Sequence, residues 1–543
     1  MSHPNPNELY DGAVDHRGDA LPYLSKSAKN MKMEELLQTP MPTYSGSTPG
    51  SYVWTKVLYW ICRRISAVQF RTQEATGISN IPLDRGTLCC AWHTNGILDA
   101  LQITLKHPKH FVLGARHDLV TRPMLGWWTR KMAVQPVVRK AELLRGGCSE
   151  EEANFLNGRS LLTLASGIAH GFGCVLFPEG TSHNNSYMLR FRTGPVRTVL
   201  AAGALASSLD KELPVIVPLG LHFRVREHFR TDVWVEYGEP IQVTKSDIPQ
   251  ELIDAVANGS WSEPPAEIVF EMRDKLRLEM EPLTTNVAEW EEHRALHLLG
   301  HIEQRRQNNP PNTWRKEVLA ARDIQHRIVK QDRVIVNDEP KPDDITHPII
   351  KPAISAAQIL EDSGLDGRDL NSKGTDLRFA NLSKLPVSLA RSGAFLASLP
   401  LFLLSLTPQL VLGRLLGDST DEGVDARTSY QFLAAMFGSL LIWPIASTIA
   451  VVIAALQEAR ISEIIDLDWT NMLGEGAFFN FIMFCVAWLF FMPLFWISGR
   501  LSSLAWDDYT YFRKFVIRLR MKKSTRQNLK ALLNNIHEEI PKI

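Results

Sequence analysis

The pattern of apolar and polar positions divides the chain into a polar front part and an apolar back part. Three segments contain no Asp, Glu, Lys or Arg: residues 392–413, 429–456 and 476–499. Each segment is long enough to cross about 30 Å of hydrocarbon at about 1.5 Å per helical residue. The pattern therefore predicts a C-terminal transmembrane helical region over residues 386–500, with two or three crossings.

The number of crossings depends on the charges around these segments. A basic helical tail, residues 501–543, follows the last one, and Lys384 and Arg391 flank the first. The positive-inside rule places both of these ends on the cytoplasmic side, which three full crossings do not allow. Pro400 and Pro408 would let the first segment be a re-entrant hairpin or a broken helix, leaving two crossings. Both alternatives remain open from the sequence.

Short apolar runs alternate with longer helical patterns between residues 86 and 243. The runs include GTLCCAW, HFVLGA, CVLFP, LPVIVPLGL and DVWVEYG. This alternation predicts an α/β domain over residues 51–262, with a mainly parallel sheet covered by helices. Pro218, inside the fourth run, is expected to break an otherwise continuous strand.

Three further segments surround this domain. Residues 1–50 are rich in Pro, Ser, Asn and Gly, which predicts a flexible N-terminal arm. Residues 53–70 form an amphipathic pattern with Lys56 and the Arg63-Arg64 pair on its polar face, so this helix either lies in the lipid headgroup layer or packs on the domain. Residues 263–385 are predicted to form a charged helical insert that ends in a linker.

Composition and charge argue against several classes of protein. The 59 Lys and Arg residues balance the 59 Asp and Glu residues, which argues against nucleic acid as a partner of the whole protein. The six cysteines have no C-x-x-C spacing, which favours reduced thiols over a disulfide framework or a zinc site. The N-terminus has no basic start followed by an apolar core, so no secretory signal is predicted.

Four polar clusters each follow or interrupt a strand-like run. They are AWHTNGILDALQ with His93 and Asp99, a segment with Arg116, Arg122 and Arg139, FPEGTSHNNSYMLRFRTG with Glu179, Gly180, Arg190 and Arg192, and VPLGLHFR. In open α/β sheets the carboxyl ends of the strands line the ligand crevice. We therefore expect the four clusters to converge on one site.

Taken in order, these clusters resemble the four sequence blocks of the glycerophospholipid acyltransferase family. The resemblance covers about residues 88–243, and FPEGTS is its most specific string. Three features resemble the branch of the family that contains the glycerol-3-phosphate and dihydroxyacetone-phosphate acyltransferases. They are the apolar tail, the helical insert and the sequence string HTNGILDA. The resemblance implies the glycerolipid acyltransferase fold, acyl-CoA as co-substrate, no cofactor and a role in phospholipid biosynthesis.

The chemistry of the first cluster suits acyl transfer from a thioester to an alcohol. His93 is the candidate general base, and Asp99 is the carboxylate that would fix its tautomer. No G-x-S-x-G string is present, so direct attack by the alcohol is preferred over an acyl-enzyme. The family places four residues between this His and Asp, whereas five separate them here. We expect a loop or bulge at Asn95-Gly96 to absorb the extra residue.

The remaining clusters offer groups for a phosphorylated substrate. Arg139, assisted by Arg116 or Arg192, would form a guanidinium pocket for the phosphate. Glu179 is expected to accept hydrogen bonds from substrate hydroxyls or to hold one of these arginines. Gly180 is expected to let the main chain approach the substrate closely.

Other interpretations compete with this one. His93 alone is more often structural, the arginines suit a solvated surface, and FPEG also fits a simple turn with Pro at its second position. Two other classes of function are a metal-dependent phosphoesterase and a non-catalytic membrane scaffold. The first would use His93, His117, His183, His222 and His228 with Asp99 and Glu179 as ligands, although their spacing fits no standard set, and we expect no metal.

The preferred hypothesis is a membrane-bound O-acyltransferase that esterifies glycerol 3-phosphate or dihydroxyacetone phosphate. The alternative acceptor is a lysophosphatidate. The expected location is a multi-pass membrane position with the catalytic domain on the cytoplasmic side, in the endoplasmic reticulum of a eukaryote or the plasma membrane of a prokaryote.

Overall fold

The computed structural model describes residues 31–138, 149–329, 340–341, 344–378, 385–397, 399–400, 403, 408–419, 424–456 and 477–543. The strands are β1 (Phe70–Thr76), β2 (Thr87–Ala91), β3 (Phe111–Arg116), β4 (Gln135–Val137), β5 (Gly173–Val175), β6 (Val215–Phe223), β7 (Thr231–Tyr237) and β8 (Ile241–Gln242). The helices of the front part are α1 (Met33–Leu37), α2 (Tyr52–Gln69), α3 (Gly96–Lys106), α4 (His117–Thr121), α5 (Pro123–Lys131), α6 (Glu150–Ala169), α7 (Gly194–Ser208), α8 (Gln250–Ala257) and α9 (Ala266–Met280). The later helices are α10 (Trp290–Arg306), α11 (Trp314–Ile328), α12 (Ile350–Asp362), α13 (Leu385–Ala397), α14 (Gly413–Asp418), α15 (Val424–Leu456), α16 (Ala477–Arg520) and α17 (Lys523–Glu539).

An eight-stranded sheet forms the centre of the front part, as far as the structure describes it. Its strand order is β1-β7-β6-β2-β5-β3-β4, with β8 paired to β6. The pairings of β6 with β7 and with β8 are antiparallel, and the other pairings are parallel. Strand β2 is buried along its whole length, because helices cover both faces of the sheet. The predicted α/β fold with a mainly parallel sheet is therefore confirmed.

Helices from distant parts of the chain cover the two faces of the sheet. On one face, α6, α7 and α9 pack side chains such as Leu164, Leu200 and Leu276 into one core with strand β2. On the other face, α2 and α3 pack together with the beginning of α15, where Phe432 is buried. Helix α9 was predicted to begin the charged insert, but its apolar stripe completes the core of the sheet domain instead.

Pro218 does not break its strand, and this prediction was wrong. Strand β6 runs through Pro218, which lies opposite Cys90 in the register with β2. On the other side of β6, the pairing with β8 ends at Ile216 and the pairing with β7 begins at Leu219. Proline is tolerated here because position 218 lies in the gap between the two pairings on this edge. Neither β7 nor β8 needs a hydrogen bond from its N–H there. Its carbonyl still accepts a hydrogen bond of 2.9 Å from Gly238 N–H.

The predicted flexible arm differs from the structure over its second half. Residues 1–30 lie outside the described residues, but residues 31–50 pack on the domain. Leu36 is fully buried in a cluster with residues of α6. Arg159 of α6 donates hydrogen bonds of 2.8 and 3.0 Å to the carbonyls of Leu37 and Thr39. A buried leucine and tethered carbonyls hold this part of the segment in place despite its polar composition.

Helix α2 packs on the domain, which is the second of its two predicted environments. One face is buried against the domain and includes Ile61 and Ile65. The other face leaves large apolar side chains in the open: Tyr52 is 57% exposed, Val53 62% and Trp60 59%. Packing on the domain is therefore established, and the open face keeps the composition of a headgroup-layer helix.

Two helices of the described residues are long and apolar enough to cross a membrane. They cover Arg427–Ile453 within α15 and Phe481–Arg520 within α16. In the first predicted segment, the structure describes α13 and a π-helical turn at Pro408–Leu412, and most residues between them lie outside the described part. Helix α16 continues without a break from the third apolar segment into the predicted basic tail.

The helical insert and the C-terminal tail share one hydrophobic core. Leu533 and Ile536 of α17 are buried against Leu299 of α10 and Leu360 of α12. The tail was predicted only from its charge, and its apolar positions at helical spacing explain why it docks. The chain therefore returns to the insert after helix α16.

Two carboxylates on β7, one buried and one half-buried, join the sheet to the insert. Asp232 Oδ2 lies 2.9 Å from Arg368 Nη1, and Glu236 Oε2 lies 2.7 Å from Arg322 Nη2. Burial alone would raise the pKa of Glu236, but hydrogen bonds from His222 and Arg322 outweigh it and lower the pKa to about 2. The pKa of Asp232 is lowered in the same way, against its burial, by its arginines.

We expect the protein to lose stability as the pH falls from about 4.5 towards 2. Over this range an unfolded Glu side chain binds protons while folded Glu236 does not, so protonation favours the unfolded chain. Thermal unfolding of the purified protein in detergent, followed from neutral to acid pH, checks this. The variant Glu236→Gln should show a shallower decline on the acid side, and parallel declines for the two proteins would contradict the prediction.

Candidate active site

His93 and Asp99 meet at the carboxyl end of strand β2. His93 follows the strand by two residues, and Asp99 lies in the first turn of α3. His93 Nδ1 is 2.9 Å from Asp99 Oδ2. The same oxygen accepts hydrogen bonds of 2.8 and 2.7 Å from the N–H groups of Thr94 and Asn95. The carboxylate therefore holds both the imidazole and the main chain that carries it.

The extra residue between His93 and Asp99 is absorbed at the beginning of α3. Gly96 has a φ of 49°, in the left-handed region that favours glycine. Asn95, just before it, has an extended φ of −139° and turns its N–H towards Asp99. The segment wraps around the carboxylate, so the spacing of five residues preserves the contact between the two side chains.

The hydrogen bonds around Asp99 determine which ring nitrogen of His93 carries the proton. An ionised carboxylate only accepts hydrogen bonds, so Nδ1 is the donor in this pair. Nε2 is then left with a lone pair, as a general base requires. The His93 side chain is 16% exposed, and none of the described residues forms a hydrogen bond to Nε2. The ring stacks on Phe177 with a centroid distance of 3.8 Å, which fixes its plane.

The FPEG string forms a tight turn after strand β5, which is the neighbour of β2 in the sheet. Gly180 N–H donates a 3.0 Å hydrogen bond to Phe177 O, with Pro178 at the second position of the turn. Gly180 has a φ of 76°, which explains why glycine is needed there. Arg192 N–H donates to Pro178 O, and Arg192 Cγ lies 3.3 Å from where a Cβ on Gly180 would be. The turn interpretation thus describes the backbone correctly.

Glu179 binds protein groups where substrate hydroxyls or an arginine were expected. Oε2 accepts a 2.8 Å hydrogen bond from the main-chain N–H of His93. Oε1 accepts hydrogen bonds of 2.9 Å from His183 Nε2 and 2.8 Å from Leu189 N–H. The residue is 3% exposed, so these contacts are shielded from water. Glu179 therefore ties the turn after β5 to the loop that carries His93.

Two residues of the site were missed as partners from the sequence. His183 N–H donates a 3.1 Å hydrogen bond to His93 O, in addition to the contact of its ring with Glu179. Arg226 Nη1 donates to the carbonyls of Thr94 and His183, at 3.0 and 3.2 Å. His183 lies four residues after Glu179, a spacing that offers a weak signal, whereas Arg226 lies beyond the fourth block and offers none.

The predicted guanidinium pocket is only partly visible. Arg139 lies outside the described residues. Arg116, at the end of β3, forms an ion pair with the buried Asp118, which also binds Arg122. Burial would raise the pKa of Asp118, but the two arginines hold it below its usual value. The charge of Arg116 is therefore balanced by a neighbouring carboxylate.

The structure gives no support to a metal site at the predicted histidines. His183 pairs with Glu179, and His222 pairs with Glu236. Within the described ranges, no group of three or more His, Cys, Asp or Glu side chains is placed to hold a metal ion.

A cavity of about 1160 Å³ lies behind the loop of His93, lined by Trp92, Thr94, Arg226 and Trp290. His93 itself does not line this cavity.

Comparisons with known proteins agree on one family. Residues 52–221 match the family model described as Acyltransferase. Glycerol-3-phosphate O-acyltransferase 2 of Saccharomyces cerevisiae is 28% identical over 151 residues, which are 28% of this chain and 19% of that protein. Glycerol-3-phosphate O-acyltransferase 1 of the same yeast is 29% identical over 107 residues, 18% of this chain and 14% of that protein. The chain thus matches less than a fifth of the length of either relative.

A solved structure is also similar in part. It is the 1-acyl-sn-glycerophosphate acyltransferase PlsC from Thermotoga maritima, with 18% identity and a TM-score of 0.26. The alignment covers 41% of this chain and 80% of that one. The family model and the four ordered blocks fall on the same sheet domain. Residues 52–221 are therefore an acyltransferase domain, and the chain is similar in part to the glycerol-3-phosphate O-acyltransferases of yeast.

Proposed function

We propose that this protein is a membrane-bound O-acyltransferase that transfers a fatty acyl group from acyl-CoA to glycerol 3-phosphate or dihydroxyacetone phosphate. The observation that carries the proposal is the paired His93 and Asp99 inside an acyltransferase domain, with Nε2 of His93 unbonded among the described residues. The names of the two yeast relatives support glycerol 3-phosphate as the acceptor.

In the proposed mechanism, His93 Nε2 takes the proton of the acceptor hydroxyl as its oxygen attacks the thioester carbonyl carbon. Asp99 stabilises the imidazolium that forms and keeps Nδ1 protonated. The tetrahedral intermediate then collapses, the carbon–sulfur bond breaks, and the CoA sulfur takes the proton from Nε2. The products are the ester and free CoA, and His93 returns to its starting tautomer.

The acceptor phosphate is proposed to bind arginines on the face of the domain that carries His93. Arg139 follows β4 and is the first candidate from the sequence. The aliphatic part of the Arg192 side chain packs against Gly180 in the turn after β5. Arg192 is therefore the second candidate, next to the loop of His93. A planar guanidinium binds phosphate oxygens in a bidentate manner, which orients the acceptor as well as attracting it.

Helices α15 and α16 are proposed to anchor the enzyme in the bilayer. Large apolar side chains along α15 are open to the surroundings: Leu441 is 51% exposed, Ile445 61% and Ile449 54%. Phe481, at 63%, and Phe490, at 64%, are similarly open on α16. Such a surface is stable in contact with lipid tails and costly in water.

The packing of the C-terminal tail favours an even number of crossings. Helix α17 follows α16 and packs on the insert, which precedes α15. The two ends of the membrane region are therefore proposed to lie on the same side of the bilayer. Two crossings, one by α15 and one by α16, meet this condition. The basic residues of the tail support a cytoplasmic position for the sheet domain, as the positive-inside rule predicts.

The test is an assay of the purified protein with labelled palmitoyl-CoA and three acceptors: glycerol 3-phosphate, dihydroxyacetone phosphate and lysophosphatidate. We expect transfer to one of the first two to be preferred. Preference for lysophosphatidate would instead support the alternative acceptor. Absence of transfer to all three would overturn the proposed function.

The variant Arg139→Ala tests the phosphate pocket in the same assay. We expect the KM for the phosphorylated acceptor to rise by at least about tenfold, because one charge-assisted contact contributes about 1.5–3 kcal/mol. The KM for palmitoyl-CoA should change little. Arg63→Ala, which removes an exposed arginine of helix α2 in the same domain, is the control. A change confined to acyl-chain preference would show that Arg139 does not bind the phosphate.

A further inference from the structure

The beginning of the candidate membrane helix α15 contacts the loop that carries His93. Thr428 Oγ1 donates a 2.7 Å hydrogen bond to Asn95 Oδ1, and both residues are buried. Ser429 Oγ accepts a 3.1 Å hydrogen bond from Ile97 N–H and lies 3.4 Å from Asn95 O. More than 330 residues of chain separate these partners.

These contacts replace the usual capping of helix α3. Asn95 is the N-cap residue, and asparagine is a favoured type there because its side chain normally accepts from an N–H of the first turn. Its side chain makes no such bond here, since its oxygen is occupied by Thr428. Ser429 supplies the missing acceptor to Ile97 N–H from another helix. Helix α3 is thus capped from α15.

The capped segment is also the one that holds the catalytic pair. Asn95 N–H and Asp99 Oδ2 are 2.7 Å apart, and the same oxygen binds His93 Nδ1. Asn95 lies inside the five-residue spacing that departs from the family pattern of four. Phe432 and Met436, one and two turns further along α15, pack in the core that contains Leu98 of α3. The helix is therefore fixed to this loop by both polar and apolar contacts.

We infer that Thr428 and Ser429 are positioning residues for the acyl transfer, through which the membrane helix sets the geometry of His93 and Asp99. Neither hydroxyl touches the reacting atoms. They fix Asn95 and Ile97, and these fix the main chain around the Asp99 carboxylate. The enzyme is thus assembled in its active geometry only when α15 is docked on the sheet domain. The kinetic consequence rests on the proposed function, whereas the structural consequence does not.

The test uses the full-length protein in detergent with the double variant Thr428→Val/Ser429→Ala. A matched control exists in the same helix, because within the described part of the chain Thr448 and Ser439 donate hydrogen bonds to carbonyls of α15 alone. The control is therefore Thr448→Val/Ser439→Ala. Hydrogen exchange of the peptide that contains residues 93–99 should become faster in the double variant and stay unchanged in the control. This measurement does not depend on enzymatic activity.

The kinetic arm separates positioning from general stability. We expect kcat to fall by about 10- to 100-fold in the double variant, with the KM for the acceptor unchanged, because small displacements of a catalytic group carry losses of this size. Thr428→Ser, which keeps the hydroxyl, should retain most of the activity. In an Asn95→Ala background, Thr428→Val should add little further loss, as expected for residues that act through one contact.

The outcomes distinguish the two proposals. Exchange and kcat equal to those of the control variant would overturn the positioning role. A Thr428→Ser variant as slow as Thr428→Val would also overturn it, because the hydroxyl would then not matter. If the wild-type protein transfers no acyl group, the proposed function fails, and the exchange measurement still decides whether α15 holds the loop.

Discussion

His93→Gln should lower kcat by about 10²- to 10⁴-fold, the range that a general base contributes. Glutamine keeps an N–H that can face Asp99, so the loop retains its hydrogen bonds, but it has no basic nitrogen to take the hydroxyl proton. Steady-state kinetics with palmitoyl-CoA and the preferred acceptor measures the loss. The melting temperature should stay close to that of the wild-type protein.

Asp99, the hydrogen-bond partner of the His93 ring, offers a second variant to compare with His93→Gln. Asp99→Asn can still accept from Thr94 and Asn95, because Oδ1 of Asp99 has no hydrogen-bond partner among the described residues and leaves room for an amide nitrogen. It loses the negative charge that stabilises the imidazolium, so we expect a smaller fall in kcat than for His93→Gln. His537→Gln, in the C-terminal helix α17, is the control for a histidine outside the site. Full activity of His93→Gln would refute the base assignment.

Glu179→Gln should lower kcat by about 100-fold while leaving the KM for the acceptor unchanged. Both oxygens of Glu179 accept hydrogen bonds from N–H groups. An amide places its NH₂ group against one of these donors in either orientation, so at least one bond is lost and a repulsive contact replaces it. The main chain of His93 or the ring of His183 must then shift.

The same variant discriminates between the two roles of Glu179. If the carboxylate bound substrate hydroxyls, as the sequence suggested, the KM for the acceptor would rise instead. Glu263→Gln, whose side chain is 57% exposed in the same part of the chain, is the matched control. A raised KM with unchanged kcat would therefore restore the substrate-binding role and contradict the positioning role that the contacts support.

The fold of the front part followed from local pattern. A parallel strand that is covered on both faces must be apolar throughout, and such strands alternate with helices in chain order. The runs around Leu88, Cys174 and Ile216 have this composition, and all three residues lie in the core of the sheet. Pro218 misled the prediction, because one sequence does not show that two different strands share the neighbouring edge of β6.

The placement of the site residues followed from the same pattern, but their partners did not. His93 and Glu179 come directly after β2 and β5, and these parallel strands are neighbours, so their ends meet. Local sequence cannot tell whether a glutamate at that edge faces a substrate or the protein. The contact of Glu179 with the main chain of His93 depends on how two loops fold over the edge of the sheet.

The sequence by itself determined the α/β sheet, the ordered blocks and the apolar segments, because each of these depends on residues that are close together along the chain. Tertiary structure alone decided that the tail packs on the insert and that Thr428 and Ser429 cap the helix of Asp99. Hydrogen bonds and core contacts between residues hundreds of positions apart depend on the docking of whole helices. Apolar positions at helical spacing show that a helix has a face to bury but not which element covers that face, so only the folded chain reveals the docking partner.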